Sequence, residues 1–190
     1  MSAAEADDGT TRRPVRRVVT GLGEDGRSRV IFDGDTDNIM SPGHYPGVHV
    51  SMLWLTDRTP ASNAGNGDAA AQPFRTNPPP GGISFLRVQM PSDARLAGKC
   101  AEEMERIKAP HGMIETASEG GGKHPGMHTT NTIEFTVMLS GEQTLLLEDG
   151  EVTLRAGDTL VNRGISHAWE NRGSEPALKA VICIDAVPLK

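Results

Sequence analysis

Apolar and polar residues alternate with a period of two along most of this chain, the pattern of half-buried β-strands rather than helices. The first such region, "RRVVTGLGEDGRSRVIFDGD", has two β-branched runs around a Gly/Asp turn and predicts a hairpin. The next, "GVHVSMLWLTD", puts Val48, Val50, Met52 and Trp54 on one face and His49, Ser51, Leu53 and Leu55 on the other. Both faces are largely apolar, so this strand is expected to be buried on two sides. A further strand is predicted at "ISFLRVQMP". Only at Leu96–Ala109 does the period change: Leu96, Cys100, Met104 and Ile107 recur at helical spacing, Glu102 and Arg106 form an i,i+4 pair, and Pro110 ends the run. This predicts one amphipathic helix on the outside of a sheet, with Cys100 as inert core.

From His128 onward the chain reads as strand and turn alone. "TLLLEDGEVTLRAGD" is a hairpin through Asp149-Gly150, and "DTLVNRG", "HAWENRG" and "ALKAVICIDA" supply further strands. Many short strands around one helix predict an all-β sandwich or jelly-roll barrel, with an N-terminal strand extension. No motif occurs twice, so residues 14–190 are read as a single domain without internal duplication. Residues 1–13 are polar and aperiodic and are expected to form a disordered arm. The patternless stretch 57–82 is expected to be a flexible loop.

Composition narrows the function. The 190 residues carry 22 Gly and 13 Pro but only two Trp, one Tyr and four Phe, in keeping with a turn-rich β fold. A net charge of −6 argues against nucleic acid and anionic membranes as partners. Cys100 and Cys183 are too few for a disulfide framework, which points to the cytoplasm. No apolar run reaches the roughly 18 residues of a membrane span. "RRPVRR" near the start has a twin-arginine look, but "VVTGLGEDGR" after it is no apolar signal core, so it is read as a solvated arm.

The chemistry concentrates in "GKHPGMHTTNTIEFTVMLSGE". Strand parity puts His128, Thr130, Thr132, Glu134, Thr136 and Met138 on one face, and Ile133, Phe135, Val137 and Leu139 on the other. If the apolar set packs outward, against a second sheet or the helix, the polar set lines an interior. A carboxylate buried there needs a cation or a hydrogen-bond network to receive it. His167 in "RGISHAWEN", on one face with Trp169 and Asn171, is the candidate third donor. Two His and one carboxylate suit a non-haem Fe(II) centre, and Zn, Mn or Ni equally.

Over Gly122–Asn171 the chain resembles the cupin superfamily. Gly122, five residues, His128-x-Thr130, three residues, Glu134, six residues and Gly141 reproduce the spacing of its first motif, with Thr130 where a second histidine is usual. After fifteen intervening residues, Gly157, Asp158, Gly164, His167 and Asn171 follow the second motif, one residue short before the histidine and without its proline. The resemblance implies a jelly-roll barrel of six to eight strands with a divalent metal on His128, Glu134 and His167. The usual fourth ligand is missing, which leaves more positions open to substrate. Thr130 is then expected to hydrogen-bond a bound water or substrate, and His124 is a weaker substitute ligand on a turn.

Beside these residues, Arg87 and Gln89 alternate with apolar Leu86, Val88 and Met90 and are candidates to point inward and bind a substrate carboxylate. Arg163 is another, and Trp169 a pocket wall. The alternatives are structural: Glu134 paired with Arg87, His167 as a core histidine, Trp169 as packing, His44 and His49 as ordinary residues, and no assignment for His111. The expected function is a metal-dependent enzyme on a small oxygen-rich substrate, either a dioxygenase or a Lewis-acid lyase or isomerase. Two alternatives stand beside it: a non-catalytic small-ligand-binding barrel, and metal-free acid–base catalysis by His128 or His167 with Glu134. A homodimer is expected through strand edges in "VVTGL" or "VHVSMLWL".

Overall fold

The computed structural model describes residues 10–108, 118–119 and 124–189. His111, Pro110, Gly122 and residues 1–9 of the expected arm lie outside them. The N-terminal hairpin is present as β1 (Arg17–Leu22) and β2 (Ser28–Gly34), a two-stranded antiparallel sheet. The remaining strands are β3 (Ile39–Met40), β4 (His49–Thr56), β5 (Ile83–Met90), β6 (Ser118–Glu119), β7 (His128–Thr129), β8 (Thr132–Ser140), β9 (Glu142–Leu147), β10 (Glu151–Arg155), β11 (Thr159–Asn162), β12 (His167–Glu170) and β13 (Ala177–Asp185). They form two antiparallel sheets, ordered β10-β9-β12-β7-β6 and β11-β8-β13-β5-β4-β3, the jelly-roll arrangement.

Strand alternation accounts for the core between them. On β8 the even residues Thr132 to Met138 are buried, whereas Phe135, Val137 and Leu139 are exposed. The apolar set does face away from the interior, but no second sheet or helix among the described residues covers it. On β4 a register shift between Met52 and Trp54 overturns the uninterrupted parity read from the sequence. An extra residue in a strand reverses its faces. Val50, Met52 and Leu55 therefore join the core with Leu86 and Val181, while Trp54 pairs with Phe85.

The helical segment is shorter than expected. Asp93–Leu96 form a 3-10 turn capped by the Ser92 hydroxyl, which accepts from the Ala94 amide at 3.2 Å. The α-helix α1 covers only Ala101–Lys108. Gly98 at φ +84° separates the two, and Cys100 is exposed rather than core. Leu96 and Met104 still reach the core, whereas Cys100 between them does not.

Two segments expected to be loose are tied down. The Arg17 guanidinium reaches Asp68 at 2.5 and 2.6 Å and the Leu53 carbonyl at 2.9 Å, fixing the 57–82 loop to the sheet. The Asn38 side chain donates to the carbonyls of Ala70 and Gln72. Residues 10–13, the end of the expected disordered arm, lie along β5 and β4: the Arg13 amide donates to Gln89, Gln89 donates to the Thr11 carbonyl, and His49 meets the Thr10 carbonyl at 2.8 Å. The polar side chains waiting on the sheet had no signature in the composition of the arm itself.

Candidate functional site

The cavity of the barrel, roughly 150 Å³, is lined by both sheets. The five-stranded sheet contributes His128, His167 and Trp169; the six-stranded sheet contributes Glu134, Thr136, Lys179, Val181, Cys183, Leu86, Val88 and Met90. Thr76 brings the end of the 57–82 loop to its wall.

His128 and His167 are direct cross-strand partners on β7 and β12, with ring centroids 4.4 Å apart. Each has its Nδ1 at a backbone carbonyl two residues before it: Gly126 at 2.8 Å for His128, Ile165 at 2.9 Å for His167. An Nδ1–H donated to a carbonyl fixes the tautomer with its lone pair on Nε2, the usual support of a metal-ligating histidine. Burial pushes His128 down to about 4, helped by the neighbouring His167, and burial lowers His167 too. Both imidazoles are thus neutral, lone-pair-bearing groups at neutral pH.

Glu134 is buried as parity required, and it is received by a hydrogen-bond network. Its Oε1 accepts from Thr130 at 3.0 Å and Thr132 at 3.2 Å; its Oε2 faces the Asn162 amide at 3.4 Å. Asn162 also sits 3.3 Å from His167 Nε2, and its own Oδ1 is buried without a partner. Among the described residues no three His, Cys, Asp or Glu side chains close on an ion-sized centre. The donors are of the kind a divalent cation takes, each imidazole is tied back through Nδ1, and the carboxylate is held by the threonines.

Two motif glycines hold this geometry. Gly164, at φ +65°, packs so closely that a Cβ there would lie 2.9 Å from the Thr130 carbonyl. Gly141, at φ +68°, turns β8 into β9 where a Cβ would lie 2.9 Å from Ala177 Cα. Only glycine fits both the left-handed backbone and the space.

The other sequence candidates divide. Trp169 lines the cavity, and Thr130 acts through Glu134. Arg87 and Gln89 are buried on the opposite face of β5 from the cavity residues Leu86, Val88 and Met90. There Arg87 donates to the Arg13 carbonyl at 2.6 Å, so neither the inward substrate contact nor the Glu134–Arg87 pair forms. The candidates were placed on the wrong face because both faces of β5 are covered, which removes the usual link between polarity and direction. Arg163 is exposed and away from the cavity wall. His124 pairs with Glu170 at 3.3 Å. The open edge expected on β4 is taken up at its start by β3 and at Leu53 by Arg17.

Sequence reading missed Lys179. Its residue is 5% exposed, its ammonium stands 3.2 Å from the centroid of the Trp169 ring, and burial pushes it down to about 7. The signal was there: in "ALKAVICID" a lysine shares parity with Val181 and Cys183. Cys183, opposite Glu134 in the register, is pushed up to about 12 by burial and stays a thiol.

Comparison with known proteins agrees with this architecture. Residues 113–184 match the family model described as a cupin domain. Over 70 residues the chain is 39% identical to the oryzines biosynthesis cluster protein J of Aspergillus oryzae, covering 36% of this chain and 39% of that one. Over 66 residues it is 38% identical to the phomopsin biosynthesis cluster protein C' of Diaporthe leptostromiformis, covering 34% and 35%. The chain thus matches well under half the length of these relatives. Among solved structures, an ethanolamine utilization protein Q of Salmonella typhimurium superposes with a TM-score of 0.45 at 11% identity, over 93% of this chain and 100% of that one. A cupin family protein with a double-stranded β-helix fold from Methanocaldococcus jannaschii gives 0.35 at 14% identity, over 54% and 70%. The barrel, the paired histidines and the motif glycines agree with the match of residues 113–184 to the cupin domain family.

Proposed function

We propose that this protein is a metal-dependent enzyme acting on a small, oxygen-bearing organic substrate held in the barrel cavity. The observation that carries the reading is the pair of inward imidazoles, each with Nδ1 tied to a backbone carbonyl, in the same cavity as Glu134. His128, His167 and Glu134 would hold the cation, Fe(II), Zn, Mn or Ni by donor type. When bound, it would supply Lewis-acid polarisation of a substrate oxygen, or with Fe(II) a site for dioxygen. The chain's own part is to position: Thr130 and Thr132 orient the carboxylate, Asn162 bridges it to His167, and the apolar walls exclude water.

The test is metal analysis of untagged protein, followed by oxygen uptake and substrate-loss assays after reconstitution with each ion. Stoichiometric metal that depends on His128 and His167 supports the reading; absence of metal uptake from every ion opposes it. A second reading, metal-free acid–base chemistry, is favoured by one observation: Thr130, Thr132 and Asn162 hold the buried Glu134 carboxylate in the same cavity as two neutral imidazoles. Activity that survives exhaustive chelation would select it.

No helix among the described residues is long and apolar enough to cross a membrane. We place the protein in the cytoplasm as part of the same proposal. The assembly proposed is a homodimer closed over the exposed outer face of the six-stranded sheet, in place of the strand edges.

A further inference from the structure

Lys179 is a charged cavity group for which the metal reading has no use. It projects from β13 into the space between the sheets, buried beside the Trp169 ring. Among the described residues it has no ion pair or hydrogen bond, and its interaction with Glu134 acts only at longer range. Glu134 makes no ion pair with it; its carboxylate accepts from Thr130, Thr132 and Asn162 instead. A buried ammonium with only an aromatic face is under-compensated, since an ion pair or several hydrogen bonds normally offset its burial. The wall residues Leu86, Val88, Met90 and Val181 offer it no acceptor, and the polar side chains Thr136, His128 and His167 that also line the cavity make no hydrogen bond to it.

We propose that Lys179 anchors the carboxylate of the substrate, and that the cavity takes a small monocarboxylate with an apolar body. The proposal rests on reading the cavity as a ligand site. Charge and volume both support it. A divalent cation held by Glu134 and two neutral histidines would leave the cavity, with Lys179, clearly positive and matched to an anion. A dry cavity of about 150 Å³ accommodates a ligand the size of benzene, close to the volume found here. The carboxylate meets Lys179 while the apolar body lies against the aliphatic wall. Since burial holds the free amine near 7, an arriving anion also draws a proton onto it.

The experiment is calorimetric titration of benzoate and of benzamide, its neutral isostere, at pH 8 in buffers of different ionisation enthalpy. It is run on chelator-treated protein and on Zn-loaded protein. The expected result is that benzoate binds at least tenfold more tightly than benzamide in both forms, with proton uptake from the buffer. Lys179→Met is expected to lose that preference while its Zn content and circular dichroism stay those of the parent. Equal affinity for the two probes, binding of neither in both forms, or a preference that survives in Lys179→Met would each overturn the proposal. So would borohydride trapping of benzaldehyde on Lys179 in a protein with no benzoate preference, which would assign the amine to imine formation. Failure of the metal reading is seen separately: no Zn uptake by wild type, with the Lys179-dependent preference intact. The wild-type comparison of the two probes does not depend on how the variant folds.

Discussion

His128 and His167 face each other across adjacent antiparallel strands, 4.4 Å between ring centroids, each turned by a carbonyl two residues upstream. Strand pairing sets the separation and the two backbone bonds set the tautomer, so the imidazoles are oriented before any ligand arrives. Removing one leaves two protein donors at most. His167→Ala is therefore expected to lower metal affinity by more than about 100-fold, read by metal content after gel filtration. The barrel should survive, because its core residues such as Met52, Leu86 and Val181 are untouched. Metal retained at full stoichiometry in this variant would mean that other residues are the ligands.

Thr130 stands where the cupin pattern has a histidine, and it holds the carboxylate instead. Thr130→Ala removes one hydrogen bond to a buried charge, a loss of about 1–3 kcal/mol. The released carboxylate should move toward the histidines more readily, so metal affinity is expected to hold or rise while denaturant stability falls. Thr130→His goes further by adding a donor, and should raise affinity while closing an open coordination position. A fall in metal affinity with either variant would show that the threonine's hold on Glu134 helps binding.

Much of this was legible because strand parity is a strict rule. The inward set on β8 and the two histidines follow from alternation plus motif spacing. Parity stops at bulges, as at Leu53, and it cannot rank two buried faces, as on β5, where Arg87 and Gln89 point at the N-terminal segment. Lys179 was passed over because a lysine in a strand is ordinarily solvated. Only the pairing of β13 between β8 and β5 makes it interior. The anchoring of residues 10–13 and of the 57–82 loop depends on partners far away in sequence, such as Arg17 with Asp68.

Gly164 connects the second motif to the first. Its left-handed backbone would cost another residue about 1–3 kcal/mol, and the Thr130 carbonyl stands 2.9 Å from where a Cβ would be. Gly164→Ala should thus lower stability by at least that amount and change metal affinity through the displaced Thr130 and Glu134. Gly150→Ala, also at positive φ but with nothing near its Cβ, is the control: a stability loss without change at the site. Equal effects of the two on metal affinity would remove the link.

Lys179 gives a pH dependence whose sign can be worked out. The groups facing it are Glu134 on β8, His128 on β7, His167 on β12 and Cys183 on its own strand; burial outweighs them and holds it near 7. Unfolded, the lysine titrates near 10.4. Between these values the unfolded chain binds the proton and the folded chain does not, so this group makes stability rise with pH from about 7 to 10. Chelator-treated wild type should show that rise in urea melts, and Lys179→Met should lack it and be the more stable of the two at pH 7. A flat difference between the two proteins across this range would mean that the lysine is not desolvated.

The outer face of the six-stranded sheet carries a row of apolar side chains in register: Val161 opposite Phe135, Phe135 opposite Ile182, Ile182 opposite Phe85. Each is more than a third exposed, at 56, 41, 37 and 37%, and Val137 and Leu139 extend the patch along β8. Together they form an exposed apolar row across neighbouring strands, and large exposed apolar patches on soluble proteins often mark interaction sites. A flat antiparallel face can meet its own copy about a two-fold axis, the commonest closed assembly, and such a contact would cover the row completely. Edge pairing is the weaker route, since β3 and the Arg17 guanidinium already occupy part of β4. Sedimentation velocity on wild type is expected to show a dimer at micromolar concentration. Phe135→Lys with Val161→Lys should give a monomer whose circular dichroism and benzoate binding are unchanged, because both side chains point away from the cavity. A wild type that stays monomeric at every concentration, or a dimer that survives both lysines, would show that this face is not where copies meet.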